Sequence, residues 1–273
     1  MNPNQVWSDL PIVAFDTETS GAYPLESEII ELGAVKWHNG QVIGKFQTLL
    51  KPSKLLVPEN IRIHGITNEM VAEAPLMKNE VLKFCEFIDG CVLLAHHAPF
   101  DLGFLALAIE EQKLQFPTNI LLCSSLLSRA LLATTNHKLQ TLVKELKLQG
   151  GDAHRAYDDA YACLQVFLKC IEKLSPTVTL AKLLEIQKKP LQWGHYKIFS
   201  SQDSKLIQIA ESILGNRTLD IIYEGGQTKS KPRPIQPMGI VRNPDGDYIH
   251  AECGIDKQRK RFYISKILSF SDK

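Results

Sequence analysis

The chain has 273 residues, is 44% hydrophobic and 22% charged, and carries a formal net charge of +1. These values exclude a disordered or fibrous chain and suit one full domain with a smaller one behind it. No run approaches the ~18 consecutive apolar residues of a membrane span, and Met1-Asn2-Pro3-Asn4-Gln5 has neither the basic flank nor the apolar core of a secretory signal.

In chain order, Ile12-Val13-Ala14-Phe15 is a short apolar run that reads as a buried strand ending in polar residues. Residues 29–37 and 42–49 flank Asn39-Gly40, the strongest short-range hairpin signal. Val81, Leu82, Phe84, Cys85 and Ile88 recur at helical spacing, Asp89-Gly90 stops that helix, and residues 92–95 read as another buried strand. Pro99 introduces a helix over about residues 101–112 with Phe104, Leu105, Ala108 and Ile109 inward. A strand is predicted over 120–123, then amphipathic helices through Leu139, Leu142, Val143 and Leu146 and through Ala160, Leu164, Phe167, Ile171 and Leu174. Three leading strands, then helices alternating with single strands, predict an α/β domain over residues 1–189, a mixed sheet with flanking helices.

After the helix predicted over 179–187, Lys188-Lys189-Pro190 and Gly194 suggest a linker over 190–200. A helix with Leu206, Ile209 and Ile213 then stops at Gly215-Asn216, and strand-like runs follow at 219–223, 235–241, 248–253 and 262–267. This β-rich domain over 201–273 is small enough that it is expected to pack on the first domain or to dimerise. Residues 1–189 hold 18 Lys and Arg against 21 Asp and Glu, whereas 190–273 hold 13 against 9. Bound cations would reverse the field of an acidic domain, and a basic remainder could attract phosphates; ordinary surface variation gives the same excess. The six cysteines form no CxxC pair and read as reduced core residues of a cytoplasmic protein.

Three separated stretches deliver acids. Asp16 and Glu18 follow the first apolar run at i and i+2, so both leave the same face of an extended segment. Two carboxylates so placed repel, and a Mg²⁺ or Mn²⁺ ion, a hard cation that takes oxygen ligands, would compensate them. The alternative is a solvated strand end whose acids face water. Asp101 opens a helix, where it could equally stabilise the positive helix N-terminus, and Asp159, beside Asp158, stands in the first turn of another. In an α/β sheet, strand ends and the helix starts after them gather in one crevice. Four acids delivered there could hold two metals ~3.5–4 Å apart, the arrangement for phosphodiester cleavage. His154 follows Gly150-Gly151-Asp152-Ala153, and a loop histidine near a metal-bound water is a side chain that could take its proton.

Phe15-Asp16-Thr17-Glu18-Thr19-Ser20-Gly21, His96-His97-Ala98-Pro99-Phe100-Asp101 and His154-Arg155-Ala156-Tyr157-Asp158-Asp159-Ala160 resemble, in this order, the three motifs of the DEDDh (DnaQ-like) 3′→5′ exonucleases, which include polymerase proofreading subunits and exoribonucleases. Ile63-His64-Gly65-Ile66-Thr67 is similar to a further segment of that family, and the resemblance runs from about residue 12 to 174. It implies a ribonuclease H-like exonuclease domain in which Asp16, Glu18, Asp101 and Asp159 are catalytic and bind two Mg²⁺ or Mn²⁺ ions, with His154 as general base. It also implies a pocket for the 3′-terminal nucleotide formed by Thr17, Thr19, His64 and Phe100, although His64 could instead be a turn residue with a structural hydrogen bond. His97 stands where relatives usually carry Asn, and Ser20 where Thr is commoner.

The implied activity is release of nucleoside monophosphates from the 3′ ends of single-stranded DNA or RNA, with no membrane partner. A choice between the two nucleic acids rests on accommodation of a 2′-hydroxyl, which spacing does not reveal. A proofreading subunit bound to a polymerase and a non-catalytic nucleic-acid-binding regulator are the alternatives. No metal carboxylate is missing, which argues against the second, and no separate polymerase-binding tail is visible beyond the β-rich domain.

In the C-terminal part, Ile235 to Ile240, then Asp247-Tyr248-Ile249, then Arg261 to Ile267 are together similar to a WYL domain, a small SH3-like β-barrel that often binds nucleic acid or senses a ligand. The naming tripeptide of that family is present only as Asp247-Tyr248-Ile249. Lys257, Arg259, Lys260 and Arg261 form a basic run beside Phe262 and Tyr263. Cations for phosphates beside aromatics for bases suit a single-strand groove; the alternative is an edge strand kept from aggregating by its charges.

Overall fold

The computed structural model describes residues 1–225 and 231–272. Strand β1 (Ile12–Thr19) is the centre of a five-stranded sheet. It pairs antiparallel with β2 (Ile29–His38), which turns through Asn39 and Gly40, at φ 50° and 82°, into β3 (Gln41–Leu49). Positive φ at both turn residues is what an Asn-Gly pair adopts at least cost. On its other side β1 runs parallel to β4 (Val92–Ala95), and β4 runs parallel to β5 (Leu121–Cys123). Parallel neighbours need crossovers. These are α1 (Pro58–His64), α2 (Asn68–Val71) and α3 (Met77–Ile88) before β4, and α4 (Pro99–Glu111) before β5. Helices α5 (Ser124–Leu131), α6 (Leu139–Glu145), α7 (Ala156–Ile171) and α8 (Leu180–Gln187) complete the domain.

Alternation along β1 divides the core. Val13 and Phe15 face α3 and α4 with Phe84, Ile88, Leu105 and Ile109. Ile12 and Ala14 face α7 with Cys163, Leu164 and Phe167. Continuing that period of two, Asp16 and Glu18 fall on the α7 face, and Thr17 on the α4 face.

The C-terminal part packs α9 (Ser204–Leu214) on a second sheet of β6 (Leu219–Tyr223), β7 (Arg233–Val241), β8 (Tyr248–Cys253), β9 (Arg259–Tyr263) and β10 (Ile267–Asp272). Its order is β10-β6-β7-β8-β9 with antiparallel pairs throughout. The described pairings form an open sheet edged by β10 and β9. The run expected as one strand over 262–267 is two, broken by a 3₁₀ turn at Ile264–Lys266. Ile264 and Ile267 are both buried three residues apart, a spacing that a continuous strand would send to opposite faces.

The segment expected as a linker is a packed connector. Leu191, Trp193 and Tyr196 lie in the core of the first domain and Ile198 in that of the second. The Glu110 carboxylate, at the end of α4, accepts from the amides of Ile198, Phe199 and Ser200 at 2.9, 3.3 and 2.8 Å. Tyr23, in the loop after β1, stacks on His250 of β8 at 5.0 Å between ring centroids and fills the space that a side chain at Gly239 would need. Five of the six cysteines are buried, and all six are free thiols. Among the described residues no helix is long and apolar enough to cross a membrane.

Candidate active site

The C-terminal end of β1 carries Asp16 and Glu18 opposite Gly33 and Glu31 of β2. Directly paired residues share a face, so these four positions form the patch on which α7 begins. A Cβ at Gly33 would lie 2.2 Å from the Tyr157 amide nitrogen and 2.3 Å from the Ala156 carbonyl carbon. Only glycine lets the first turn of α7 rest on the sheet.

Glu31, 0% exposed, fixes that turn. It receives Nη2 and Nε of Arg155 at 2.8 and 3.1 Å, the Ala156 amide at 3.0 Å and Gln47 Nε2 at 3.1 Å. Burial pushes its carboxyl upward, but the bonds from Arg155, Ala156 and Gln47 outweigh burial and hold it below its ordinary value.

With α7 so placed, Asp159 reaches Glu18. Its carboxylate accepts from the His154 amide at 3.0 Å and from Gln140 Nε2 at 2.9 Å. His154 adopts φ 62°, in the left-handed region, and is exposed. Glu18, His154 and Asp159 present ligand atoms that all lie within 4.8 Å of one another. From the other face, Asp101 in the first turn of α4 accepts both the amide and the hydroxyl of Thr17, at 3.0 and 2.8 Å, through a single oxygen. The four acids therefore meet around one strand end.

Their proximity is electrostatically expensive. Burial, then repulsion from Asp101, Asp159, Glu18 and Glu31, raises Asp16 well above the ordinary range. Burial, with Asp159 and Glu31 next, pushes Glu18 up to about 8. Burial raises Asp101 to about 7 against the lowering by its Thr17 bonds, and burial also raises Asp159. Among the described residues no ion pair reaches any of the four, and Arg155 is spent on Glu31. An uncompensated set of hard oxygen donors beside one imidazole fits a magnesium- or manganese-like cation.

His64 is buried at the C-terminal end of α1. Its Nδ1 accepts the Ile66 amide at 3.0 Å, so the structural hydrogen bond exists. The Nε2 atom is buried without a partner among the described residues, and burial lowers the pKa, leaving a neutral ring with an unspent N–H. Thr19 donates to the Gly21 carbonyl at 2.7 Å and shapes the turn out of β1, and Phe100 packs on Phe104. His97 sits at φ 65°, a left-handed position that Asn and His both tolerate.

Of the basic run, Lys257, Arg259 and Arg261 are exposed, Lys260 pairs with Asp256, and the Arg261 guanidinium lies 5.1 Å over the Tyr248 ring. Phe262 is a correction: it is 2% exposed, in the second core against Tyr223, so it has no face to offer a base. Tyr263, 38% exposed, is the outward aromatic.

Sequence reasoning missed Glu31, Gly33, Gln140 and Tyr23. One signal for Glu31 was present, a lone charge inside the apolar run Ile29-Ile30-Glu31-Leu32-Gly33-Ala34-Val35. A buried charge in such a strand must have a partner.

A mixed sheet of this order, with acids gathered at the end of its central strand, defines a nuclease of the ribonuclease H-like fold. Residues 13–167, more than half of the chain, match the exonuclease family RNase_T, and the chain belongs to that family. It is 34% identical over 247 residues to the PolC-type DNA polymerase III of Thermotoga petrophila, covering 88% of this chain and 18% of that protein. The chain thus spans under a fifth of the length of that relative. It is 34% identical over 169 residues to the DNA polymerase III subunit epsilon of Treponema pallidum, covering 61% of this chain and 79% of that one. Among solved structures, the nuclease domain of 3′hExo, described as a DEDDh family member bound to rAMP, superposes with a TM-score of 0.53 at 18% identity, over 62% of this chain and 95% of that chain. That likeness is one of fold.

Proposed function

We propose that the protein is a divalent-metal-dependent 3′→5′ exonuclease that releases nucleoside monophosphates from the ends of single-stranded DNA or RNA. The observation that carries this reading is the meeting of Glu18, His154 and Asp159 donors within 4.8 Å, beside Asp16 and the Thr17-anchored Asp101. Asp16, Glu18, Asp101 and Asp159 would hold two Mg²⁺ or Mn²⁺ ions. When bound, such ions neutralise the carboxylates and offset the charge that builds on a phosphate under attack.

The chain's own groups then have distinct tasks. His154, exposed at the mouth of the site, takes the proton of the attacking water. Thr17, Thr19, His64 and Phe100 line the pocket of the terminal nucleotide. The second sheet holds the strand further from its end, with Lys257, Arg259 and Arg261 toward the phosphates. Membership of the exonuclease family and the acid cluster support the reaction class; the direction and the substrate are this reading's own.

Digestion of matched 5′-labelled DNA and RNA oligonucleotides, single- and double-stranded, with Mg²⁺, Mn²⁺ or EDTA tests it. A ladder shortening from the 3′ end is expected with metal, and none with EDTA. Asp159→Ala should abolish the ladder while the melting profile persists; wild-type digestion by that variant would overturn the assignment.

The names of the relatives favour one second reading, a proofreading exonuclease bound to a DNA polymerase. Capture of a polymerase with the tagged chain would support it, and a chain that purifies alone and digests free ends would not.

A further inference from the structure

Asp101 and Asp159 ride on different helices, and each carboxylate must hold its direction against the repulsion of the other acids. Asp159 has one bond at each oxygen: one accepts the His154 amide at 3.0 Å, the other Nε2 of Gln140 at 2.9 Å. The first bond comes from the loop that leads into α7. The second comes from another element, since Gln140 stands in the first turn of α6. Gln140 is exposed, so its bond to Asp159 is not a by-product of core packing.

The start of α6 is fastened in turn to the segment that carries Asp101. His96 lies between β4 and α4, with its Nε2 3.0 Å from the His137 carbonyl oxygen and its Nδ1 2.8 Å from the Ser124 hydroxyl. Burial pushes His96 down to about 4, so the ring is neutral and has a single N–H. A carbonyl only accepts, which puts that hydrogen on Nε2. Nδ1 then accepts from the Ser124 hydroxyl, and the Ser124 oxygen accepts from the Cys163 thiol at 3.2 Å. His137 is held from its other side as well. Its Nδ1 donates to Ser128 Oγ at 3.1 Å, while the Ser128 hydrogen goes to the Ser125 carbonyl.

Two routes therefore lead from one imidazole to the helix of Asp159. One passes through His137 and α6 to Gln140. The other passes through Ser124 to Cys163, one turn beyond Asp159 on α7. A carboxylate turns about its Cβ–Cγ bond, and negative neighbours turn it away from a position it should share with them. Bonds from outside the set of ion ligands oppose that rotation.

We propose that Gln140 and His96 are positioning residues of the metal site. Gln140 fixes the rotation of the Asp159 carboxylate, and His96 fixes Gln140 and α7 relative to the segment that carries Asp101. The proposal rests on the reading above that these acids hold divalent ions.

Calorimetric titration of the full chain with Mn²⁺ at one pH tests it, alongside melting in EDTA. Gln140→Met keeps a long helix-forming side chain and loses the donor. It should weaken Mn²⁺ binding roughly 10- to 100-fold, the scale for loss of a partner outside the ligand shell, while the metal-free protein melts as the wild type does. His96→Leu cuts both routes and should also weaken Mn²⁺ binding. His96→Gln offers an amide N–H to the His137 carbonyl and should bind Mn²⁺ more tightly than His96→Leu. A merely structural part for these residues would lower the melting temperature and leave the Mn²⁺ affinity of the folded protein unchanged. Wild-type affinity in Gln140→Met, or no recovery from His96→Leu to His96→Gln, would overturn the proposal. If His96→Leu does not fold, Gln140→Met decides alone from its exposed position. Failure of the underlying reading is separately visible, as a wild type that binds no Mn²⁺ and digests nothing in Mg²⁺ or Mn²⁺.

Discussion

Arg155 closes on Glu31 with two parallel bonds, Nη2 to Oε1 at 2.8 Å and Nε to Oε2 at 3.1 Å, across 124 positions of sequence. The pair joins the second strand to the residue before α7, and His154 and Asp159 flank it on that segment. A contact that touches no substrate thus sets where two of the candidate catalytic groups stand.

Glu31→Gln keeps the shape and loses the charge. We expect a loss of about 1–3 kcal/mol in urea unfolding, the scale for a charge-assisted network with one partner weakened. Arg155 is 30% exposed and can turn to water, which keeps the loss below that of a fully buried pair. Glu31 titrates below its ordinary 4.5 in the folded chain. Its contribution is therefore present above pH 4.5 and disappears as pH falls below it, so the wild type should lose on acidification a margin that the variant never had. Equal stability of the two proteins at pH 7 would contradict this role.

The acid cluster predicts the opposite slope. Glu18 at about 8 and Asp101 at about 7 hold protons in the folded chain that the unfolded chain has released. Without divalent cations, the contribution of these acids to stability should be greatest below about pH 4 and be lost as pH rises toward 8. Melting curves in EDTA across that range check this. Added Mn²⁺ should reverse the trend, because ions compete with protons for the same oxygens and bind more tightly as pH rises.

Gly33→Ala should be unusually damaging for one methyl group. Its carbon would lie 2.2 Å from the backbone of Tyr157, which no rotamer change relieves. Roughly 1–3 kcal/mol of overpacking is expected, with slower digestion because α7 and Asp159 must shift. Unaltered digestion by a folded Gly33→Ala protein would show that Asp159 need not stay where β2 places it.

Removal of His154 separates proton transfer from ion binding. His154→Ala should slow hydrolysis by roughly 10²–10⁴-fold near neutral pH, and Mn²⁺ should still bind through the acids in calorimetry. Loss of all Mn²⁺ binding would instead make His154 mainly a ligand.

A stop codon after residue 189 should give aggregated protein, since it deletes Leu191, Trp193 and Tyr196 from the first core. Each large apolar side chain so removed forfeits roughly 1.5–3 kcal/mol of burial. A stop after residue 201 retains them, and the difference in soluble yield measures what the connector contributes.

Much of the catalytic domain was legible because its signals are local. The alternation of Ile12 to Phe15, the Asn39-Gly40 turn and the placement of Asp101 and Asp159 at helix starts each follow from a few neighbouring residues. What was not legible depends on partners distant in sequence. Glu31 looks like an error in an apolar strand until Arg155 arrives from α7. Phe262 was expected to face a base because it sits beside arginines, but β9 alternates and turns it inward while Arg261 and Tyr263 face out. The apparent linker misled for a related reason: Pro190 and Gly194 mark loss of regular structure, and loss of regular structure is not loss of packing.

The insertion of Tyr23 beside Gly239 bears on how such a protein could be rearranged by recombination. Fusing a foreign C-terminal module onto this nuclease would need more than a compatible junction. The incoming sheet would have to leave a notch for one ring belonging to its host, opposite a histidine that can cover it. Modules lacking that notch would displace the loop that leaves the strand of Asp16 and Glu18, so the two halves are constrained to diverge together.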